Sequence, residues 1–305
     1  MRPMAGATSF LFMSRAPDVA DVPRLLGRCA AAGLSARWIH PSQAPPATPE
    51  DARACVLLPR LPSGTPAEML LGLELWEQAG ARVLNPARAL RLVHDKAGCL
   101  AVLAAAGLAV TPTLCVRRDG PVSLASLSGA ERPGALFVVK PATGSSGRGV
   151  TVGLSLAAAQ AAAAAFADAS GPVLVQPFLG GGIDRRLFVV GDAVLAAMER
   201  RPASGTGRGN LAYGASAAPI EPDAAELALA RQAAQVLGLH VAAVDLLRDG
   251  DRALVLEVNS SPGLAGISAA TGRDVAGALV AAMQRTRSGG DRPDSSHLHS
   301  SRGPE

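Results

Sequence analysis

The chain has 305 residues, 49% of them hydrophobic and 18% charged, which is room for two or three domains and ordinary for a globular protein in water. A net charge of +4 with no Lys/Arg block and no aromatic–basic interleaving argues against nucleic-acid binding. No apolar run is long enough for a membrane span, Thr8–Met13 is short for a signal core, and Cys29, Cys55, Cys99 and Cys115 lack metal or disulfide spacing, so a cytoplasmic protein is expected.

Residues 8–13 read as a strand, 19–33 as a helix with Leu25, Leu26, Cys29 and Ala30 on one face, and 36–39 as a second strand. A proline-rich loop from His40 to Pro49 follows, then a strand at 54–58, a helix at 66–78 and a short strand at 82–84. Alternating β and α elements imply a parallel sheet with helices on both faces, and residues 1–88 are assigned to this small α/β domain.

Residues 89–106 read as one helix containing Asp95-Lys96 and closed by Gly107, 110–116 as extended chain, and 121–133 as a connection with a short helix. Two strands, 136–140 and 150–152, flank the loop Pro141-Ala-Thr-Gly-Ser-Ser-Gly-Arg-Gly149. The loop lacks a Gly-Lys-Ser/Thr ending and does not run into a helix, so it is neither a P-loop nor a dinucleotide fingerprint. A Gly/Ser flap between antiparallel strands can still fold over phosphates through its backbone N–H groups. A helix at 155–168 and a strand at 173–176 follow.

After a link at 178–182, strands at 183–190 and 194–200 meet at a Gly191-Asp192 turn, which puts Asp184 and Arg186 on a common face. The long loop 201–214, with Arg208, Asn210 and the one tyrosine, Tyr213, reads as functional because structureless loops of that length are uncommon. Pro222–Gly238 is an amphipathic helix, and 267–284 a helix or a pair of helices. The Ser/Gly/Asp/Pro/Arg tail from residue 288 is expected to be disordered, with His297 and His299 solvated.

Two features point to chemistry. The apolar runs 241–247 and 253–259 flank a polar turn and form a hairpin in which Glu257 and Asn259 share a face. If the turn holds an odd number of residues, Asp245 joins them, and two carboxylates with an amide oxygen suit Mg²⁺ or Mn²⁺ held with phosphates. The competing reading is a hairpin whose polar residues face water; a carboxylate between Leu256 and Val258 weighs against it. The second feature is that 27 of the 29 basic residues are arginine, leaving only Lys96 and Lys140 as lysines. Lysine retained against that drift fits a compact ammonium that reaches phosphate where a guanidinium does not fit. Lys140, at the flap, is expected outside the core.

In sequence order, Asp95-Lys96, Val139-Lys140 with its glycine loop, Gln176-Pro177-Phe178, Asp184-x-Arg186, Glu199-Arg200-Arg201, Arg208-x-Asn210, Asp245 and Glu257-x-Asn259-Ser-Ser-Pro-Gly resemble the ATP-grasp fold over roughly residues 80–285. The match is closest to RimK-type α-L-glutamate ligases. The resemblance implies an α/β (α+β ATP-grasp) architecture: the small parallel domain, a central domain at 89–175 with the flap, and a C-terminal domain at 176–287, the latter two clasping ATP. It implies ATP phosphates at Lys96, Lys140 and the flap's Gly147, adenine along Gln176, Pro177, Phe178 and Leu179, ribose at Asp184, and a nucleotide contact at Asn210. Asp245, Glu257 and Asn259 would hold two Mg²⁺ or Mn²⁺ ions. Arg186, Arg200, Arg208 and Lys140 would be catalytic, clamping carboxylates or the transferring phosphate, whereas Arg201 suits a surface charge nearly as well. The family usually carries an acidic residue where Pro177 stands, so adenine there would rely on backbone groups.

The implied reaction is ATP-dependent joining of a carboxylate to an amine through an acylphosphate. The partners are then ATP, glutamate or another amino acid, and a carboxylate acceptor (a protein C-terminus or a cofactor tail), with homo-oligomerisation open. The alternatives are another ATP-grasp ligase, D-Ala–D-Ala-like or peptide-forming, and an ATP-binding regulatory protein without turnover.

Overall fold

The computed structural model describes residues 9–19, 21–118, 127, 134–144, 149–203 and 214–287. The expectations for the 121–133 helix, Gly147, Arg208, Asn210, Tyr213 and the tail therefore fall wholly or largely outside the described residues. The N-terminal part alternates β1 (Ser9–Met13), α1 (Val22–Ala31), β2 (Ala36–Ile39), α2 (Pro49–Arg53), β3 (Cys55–Pro59), α3 (Ala67–Gln78) and β4 (Arg82–Val83). Its sheet runs in the order β2-β1-β3-β4, with every pair parallel. Strand alternation sends Phe10, Phe12, Val56 and Leu58 to one face and Leu11, Met13, Cys55 and Leu57 to the other, and both faces are buried.

The helix expected over 89–106 is two, α4 (Ala87–His94) and α5 (Lys96–Ala105). The break falls at Asp95, which leaves the helical region (φ −91°, ψ 97°) and caps α5 by accepting from the N–H groups of Ala97 and Gly98, each at 3.1 Å. A capping Asp competes with helix continuation because its carboxylate satisfies donors that a new helix leaves open.

The central sheet has the order β5-β8-β6-β7, all antiparallel: β5 (Leu114–Val116), β6 (Phe137–Pro141), β7 (Thr151–Leu154) and β8 (Val173–Pro177). One face buries Phe137, Val139, Val173 and Val175 against α6 (Leu156–Ser170). The third sheet has the order β11-β10-β9-β12-β13, again antiparallel, from β9 (Asp184–Val190), β10 (Ala193–Arg201), β11 (Ser216–Pro219), β12 (Val241–Asp249) and β13 (Arg252–Asn259). One of its faces packs on α7 (Ala224–Val236), α4 and α5. The other meets α8 (Leu264–Thr271) and α9 (Val275–Arg287), which also cover α1 and the N-terminal sheet. The last helical stretch is thus a pair, beginning three residues earlier than expected. The 178–182 link contains a single 3₁₀ turn, Gly180–Gly182.

No helix among the described residues is long and apolar enough to cross a membrane. All four cysteines are free, and Cys29, Cys55 and Cys99 are buried.

Asn85 joins the N-terminal part to the third sheet. It is fully buried; its Nδ2 donates to Val241 O (2.6 Å) and Ser260 O (2.9 Å), while its Oδ1 accepts from the N–H groups of His240 (2.7 Å) and Val241 (2.8 Å). Asn85→Ala strands these backbone groups away from water, so a loss of about 3 kcal/mol is expected in denaturant unfolding. A loss under about 1 kcal/mol would show that water replaces the amide.

Candidate active site

Register brings the expected site residues onto one face of the third sheet. Arg200 lies opposite Asp184 across β9–β10, and Asp245 lies opposite Arg186 on one side and Glu257 on the other. Directly opposed residues of an antiparallel pair share a face. Asn259, two residues beyond Glu257, shares it as well.

The condition on which Asp245 was to join that face is not met as expected. The turn of the β12–β13 hairpin has two residues, Gly250 and Asp251, because Asp249 pairs with Arg252. An even turn alone would set Asp245 opposite Leu256. A β-bulge corrects the parity: Leu246 pairs with Val255, Asp245 with Glu257, and Leu256 is the extra residue. The segment before β5 braces the bulged strand, with Thr111 N donating to Val255 O and Val255 N to Ala109 O, each at 2.9 Å.

Charge on this face is tightly paired. Arg186 grips Asp245 with two hydrogen bonds, Nε to Oδ1 and Nη2 to Oδ2, each 2.7 Å. Arg200 bridges two carboxylates, donating Nε to Asp184 Oδ1 at 2.6 Å and reaching Asp245 Oδ2 with Nη2 at 3.0 Å. Asn259 Nδ2 approaches Asp245 Oδ2 at 3.4 Å. Burial pushes the Asp245 carboxyl up, but the two guanidiniums outweigh it and hold it at about 2. For Asp184 burial wins over Arg200, with the Asp245 charge adding to it, and the carboxyl rises to about 7.

The pH dependence of stability follows. Between its unfolded value of 3.8 and about 7, native Asp184 holds a proton that the unfolded chain has lost. Stability contributed by that proton is full below the unfolded value and is lost as pH rises through about 7. In urea titrations the parent protein should therefore lose stability relative to Asp184→Asn as pH rises across that window. A difference between the two that is constant with pH would contradict this.

Both lysines converge on Glu257. Lys96 is the first residue of α5; α5 packs beside β13, and Lys96 Nζ donates to Glu257 Oε1 in a short ion pair. Its backbone N–H reaches Ala142 O at 3.3 Å, tying α5 to the end of β6. Lys140 on β6 is buried, at 8% exposure, and does not sit outside the core as expected. Burial lowers its ammonium to about 8, with Lys96 pushing the same way and Glu257 and Asp245 opposing. Burial would raise Glu257, yet Lys96 and Lys140 together hold it below the usual carboxylate range.

Gln176 stands opposite Val138, one residue pair from Lys140, and so shares the face of the central sheet that carries the lysine. Its buried Nε2 donates to Thr113 Oγ1 at 2.8 Å. Pro177 ends β8 on the opposite face, and the N–H of Phe178 is used by Leu136 O at 2.8 Å. Leu179 starts the 3₁₀ turn.

Arg201 points away from the site. It is 62% exposed and pairs with Glu199 at 2.5 Å on the sheet's other face. On that face Glu226, fully buried, receives Arg185 at 2.9 Å and Arg248 at 3.0 Å, pinning α7 to the sheet. Sequence reasoning gave no role to three residues that shape the site: Thr113, which orients Gln176; Asp95, quoted only as the neighbour of Lys96, whose capping aims that lysine; and Leu256, whose bulge aligns Asp245. Of these only Asp95 carries a local signal, an Asp immediately before a run of helix formers.

Among the described residues no three His, Cys, Asp or Glu side chains gather into a self-sufficient metal site. Two carboxylates and an amide oxygen on one strand pair instead fit an ion such as Mg²⁺ that draws further ligands from phosphate.

The three-sheet fold is that of the ATP-grasp ligases. A solved structure of the ATP-grasp ligase PsnB, complexed with a phosphomimetic variant of its minimal precursor, Mg and ADP, superposes with a TM-score of 0.69 over 92% of this chain and 99% of that one at 19% identity. The family model for the RimK-like ATP-grasp domain matches residues 93–283. A probable alpha-L-glutamate ligase 1 of Shewanella amazonensis is 36% identical over 232 residues, 75% of this chain and 76% of the relative. A probable alpha-L-glutamate ligase of Vibrio cholerae is 37% identical over 227 residues, 72% of this chain and 74% of the relative. The chain belongs to the RimK-like ATP-grasp family, and as a member it is a carbon–nitrogen ligase.

Proposed function

We propose that the protein uses ATP to join L-glutamate to a carboxylate acceptor, through an acylphosphate formed over the charged face of β9, β10, β12 and β13. The observation that carries this reading is the register that sets Asp245 opposite Glu257, with both lysines of the chain converging on Glu257. The names of the relatives in Shewanella amazonensis and Vibrio cholerae support glutamate as the amine, and the Mg and ADP held by PsnB support ATP and a divalent ion.

In this reading residues 1–88 form the domain preceding the two ATP-grasp units, 89–175 and 176–287, and the reaction takes place in the cytoplasm, where ATP is made available. Adenine lies along Gln176 to Leu179, and since Pro177 has no N–H and that of Phe178 is spent on Leu136, it meets mainly backbone carbonyls there. Asp184 receives the ribose hydroxyls. Lys96 and Lys140 hold phosphate oxygens, and Lys140, having little water to lose, interacts strongly with the charge it meets. Asp245, Glu257 and Asn259 hold the divalent ions, two Mg²⁺ or Mn²⁺, which when bound neutralise phosphate oxygens.

The acceptor's carboxylate oxygen attacks the γ-phosphorus, the bond to the β-phosphate oxygen breaks, and ADP departs. Arg186 and Arg200 lie on the same face and can take up the acceptor carboxylate or the transferring phosphoryl group bidentately. The glutamate amine then attacks the acyl carbon, phosphate leaves, and the nitrogen gives up its proton.

An isotope experiment tests the route. With ¹⁸O in the acceptor carboxylate, an acylphosphate delivers one ¹⁸O to the inorganic phosphate released. Phosphate free of label, in a reaction that yields the amide, would exclude that intermediate.

A further inference from the structure

We infer that Lys96 and Arg186 are internal stand-ins for the divalent ion, so that the Asp245–Glu257–Asn259 face admits the metal only together with the phosphates of a nucleotide. The inference rests on the ligase reading above and adds to it the order and coupling of binding at the same site.

Three observations carry it. First, the candidate ligands are already engaged by cations of the chain. Arg186 covers both oxygens of Asp245, Arg200 adds a third contact, and Lys96 is paired with Glu257 Oε1. Second, the face carries more positive than negative charge. Asp245 and Glu257 face Arg186, Arg200, Lys96 and Lys140, and Asp184 adds at most one more negative charge, so no more than three negative charges meet four cations among the described residues, a surplus of at least one. A bare divalent ion would raise that surplus to at least three in a poorly hydrated setting, where like charges repel strongly. Third, among the described residues no three His, Cys, Asp or Glu side chains gather to hold an ion unaided.

A nucleotide changes each of these conditions. Its phosphates bring several negative charges, give Lys96 and Arg186 a new partner as they release Glu257 and Asp245, and complete the ion's oxygen shell. Without phosphate, an ion taking Glu257 would leave Lys96 desolvated and unpaired, which is the costly outcome for a partly buried charge pair. Metal and nucleotide are therefore coupled, each raising the affinity of the other by the same factor. The two cations do double service: they keep the carboxylates paired while the site waits, and they turn to phosphate when the ion arrives.

The test is Mn²⁺ binding to nucleotide-free protein, read from loss of the free-ion electron paramagnetic resonance signal. The parent protein should bind weakly. Lys96→Met and, independently, Arg186→Gln should each bind Mn²⁺ at least about tenfold more tightly, because each removes a competing cation. Lys96→Arg, which keeps the charge, should stay close to the parent. The double variant Lys96→Met/Glu257→Gln should lose the gain, locating the ion at Glu257. Thermal melts confirm that each variant is folded. Nucleotide-free affinity that is unchanged or weaker in both single variants overturns the inference, as does a gain that survives Glu257→Gln. The ligase reading is checked in the same samples by adding ADP. A parent protein that retains no Mn²⁺ with ADP present overturns that reading and the inference with it, whereas retention with ADP and no gain in the variants overturns the inference alone.

Discussion

Lys140→Met should reduce ADP release by roughly 10²–10³-fold while the protein stays folded, with a melting temperature equal to or above that of the parent. The loss of rate follows from position: Lys140 is a buried ammonium within electrostatic reach of Glu257 and Asp245, and methionine offers phosphate no charge. The retained stability follows from the direction of its titration. Burial lowers the ammonium to about 8, so the folded state disfavours the charged form relative to the unfolded chain, and a neutral side chain of similar length relieves that penalty. Lys140→Ala should lose rate similarly but leave a void in place of the stem, so the methionine variant separates chemistry from packing. Normal ADP release by either variant would remove Lys140 from the site.

Glu257→Gln should weaken metal-dependent nucleotide binding by roughly 100-fold in calorimetry and should also lower stability, since Lys96 and Lys140 lose the carboxylate they share. Glutamine keeps the shape of glutamate and can still accept from Lys96, but it withdraws the charge that draws the ion. Asp245 is a poorer choice for this test. It neutralises Arg186 and Arg200 together, and removing its charge would leave two guanidiniums uncompensated, at a cost of about 3–5 kcal/mol to the fold. Nucleotide affinity that depends on metal equally in Glu257→Gln and the parent would detach the hairpin from the site.

Much of this site was legible in the residues because it lies on strands, where alternation fixes direction. Glu257 and Asn259 two apart, and Asp184 and Arg186 two apart, share faces by the period of the chain alone. The two lysines stood out because every other basic residue is arginine, and in the structure both act on one carboxylate.

Parity across the hairpin was not legible. The two-residue turn would have turned Asp245 away, and the bulge that brings it back falls on Leu256, an apolar residue like its neighbours. Bulges are set by how a strand fits its partners, here β12 on one side and the 109–111 segment on the other, and no single residue announces that fit. The division at Asp95 failed for a different reason. Residues 87–105 have nearly unbroken helix propensity, and one capping side chain decides the break. Lys140 was expected at the surface because a flap follows it, but the residue belongs to β6 inside the central sheet, and burial follows the strand rather than the loop. Arg201 shows the converse: it adjoins Arg200 in sequence and by alternation faces the other way.

The measurement that tests the account most directly is ADP release by the purified protein with ATP and Mg²⁺, in the presence and absence of glutamate and of candidate carboxylate acceptors, with the acceptor's mass followed in parallel. The account predicts that ADP accumulates fully only when acceptor and glutamate are both present, and that each ADP is matched by an acceptor one glutamyl residue heavier. ADP release that is indifferent to both substrates, or an acceptor of unchanged mass beside full ADP release, would contradict it.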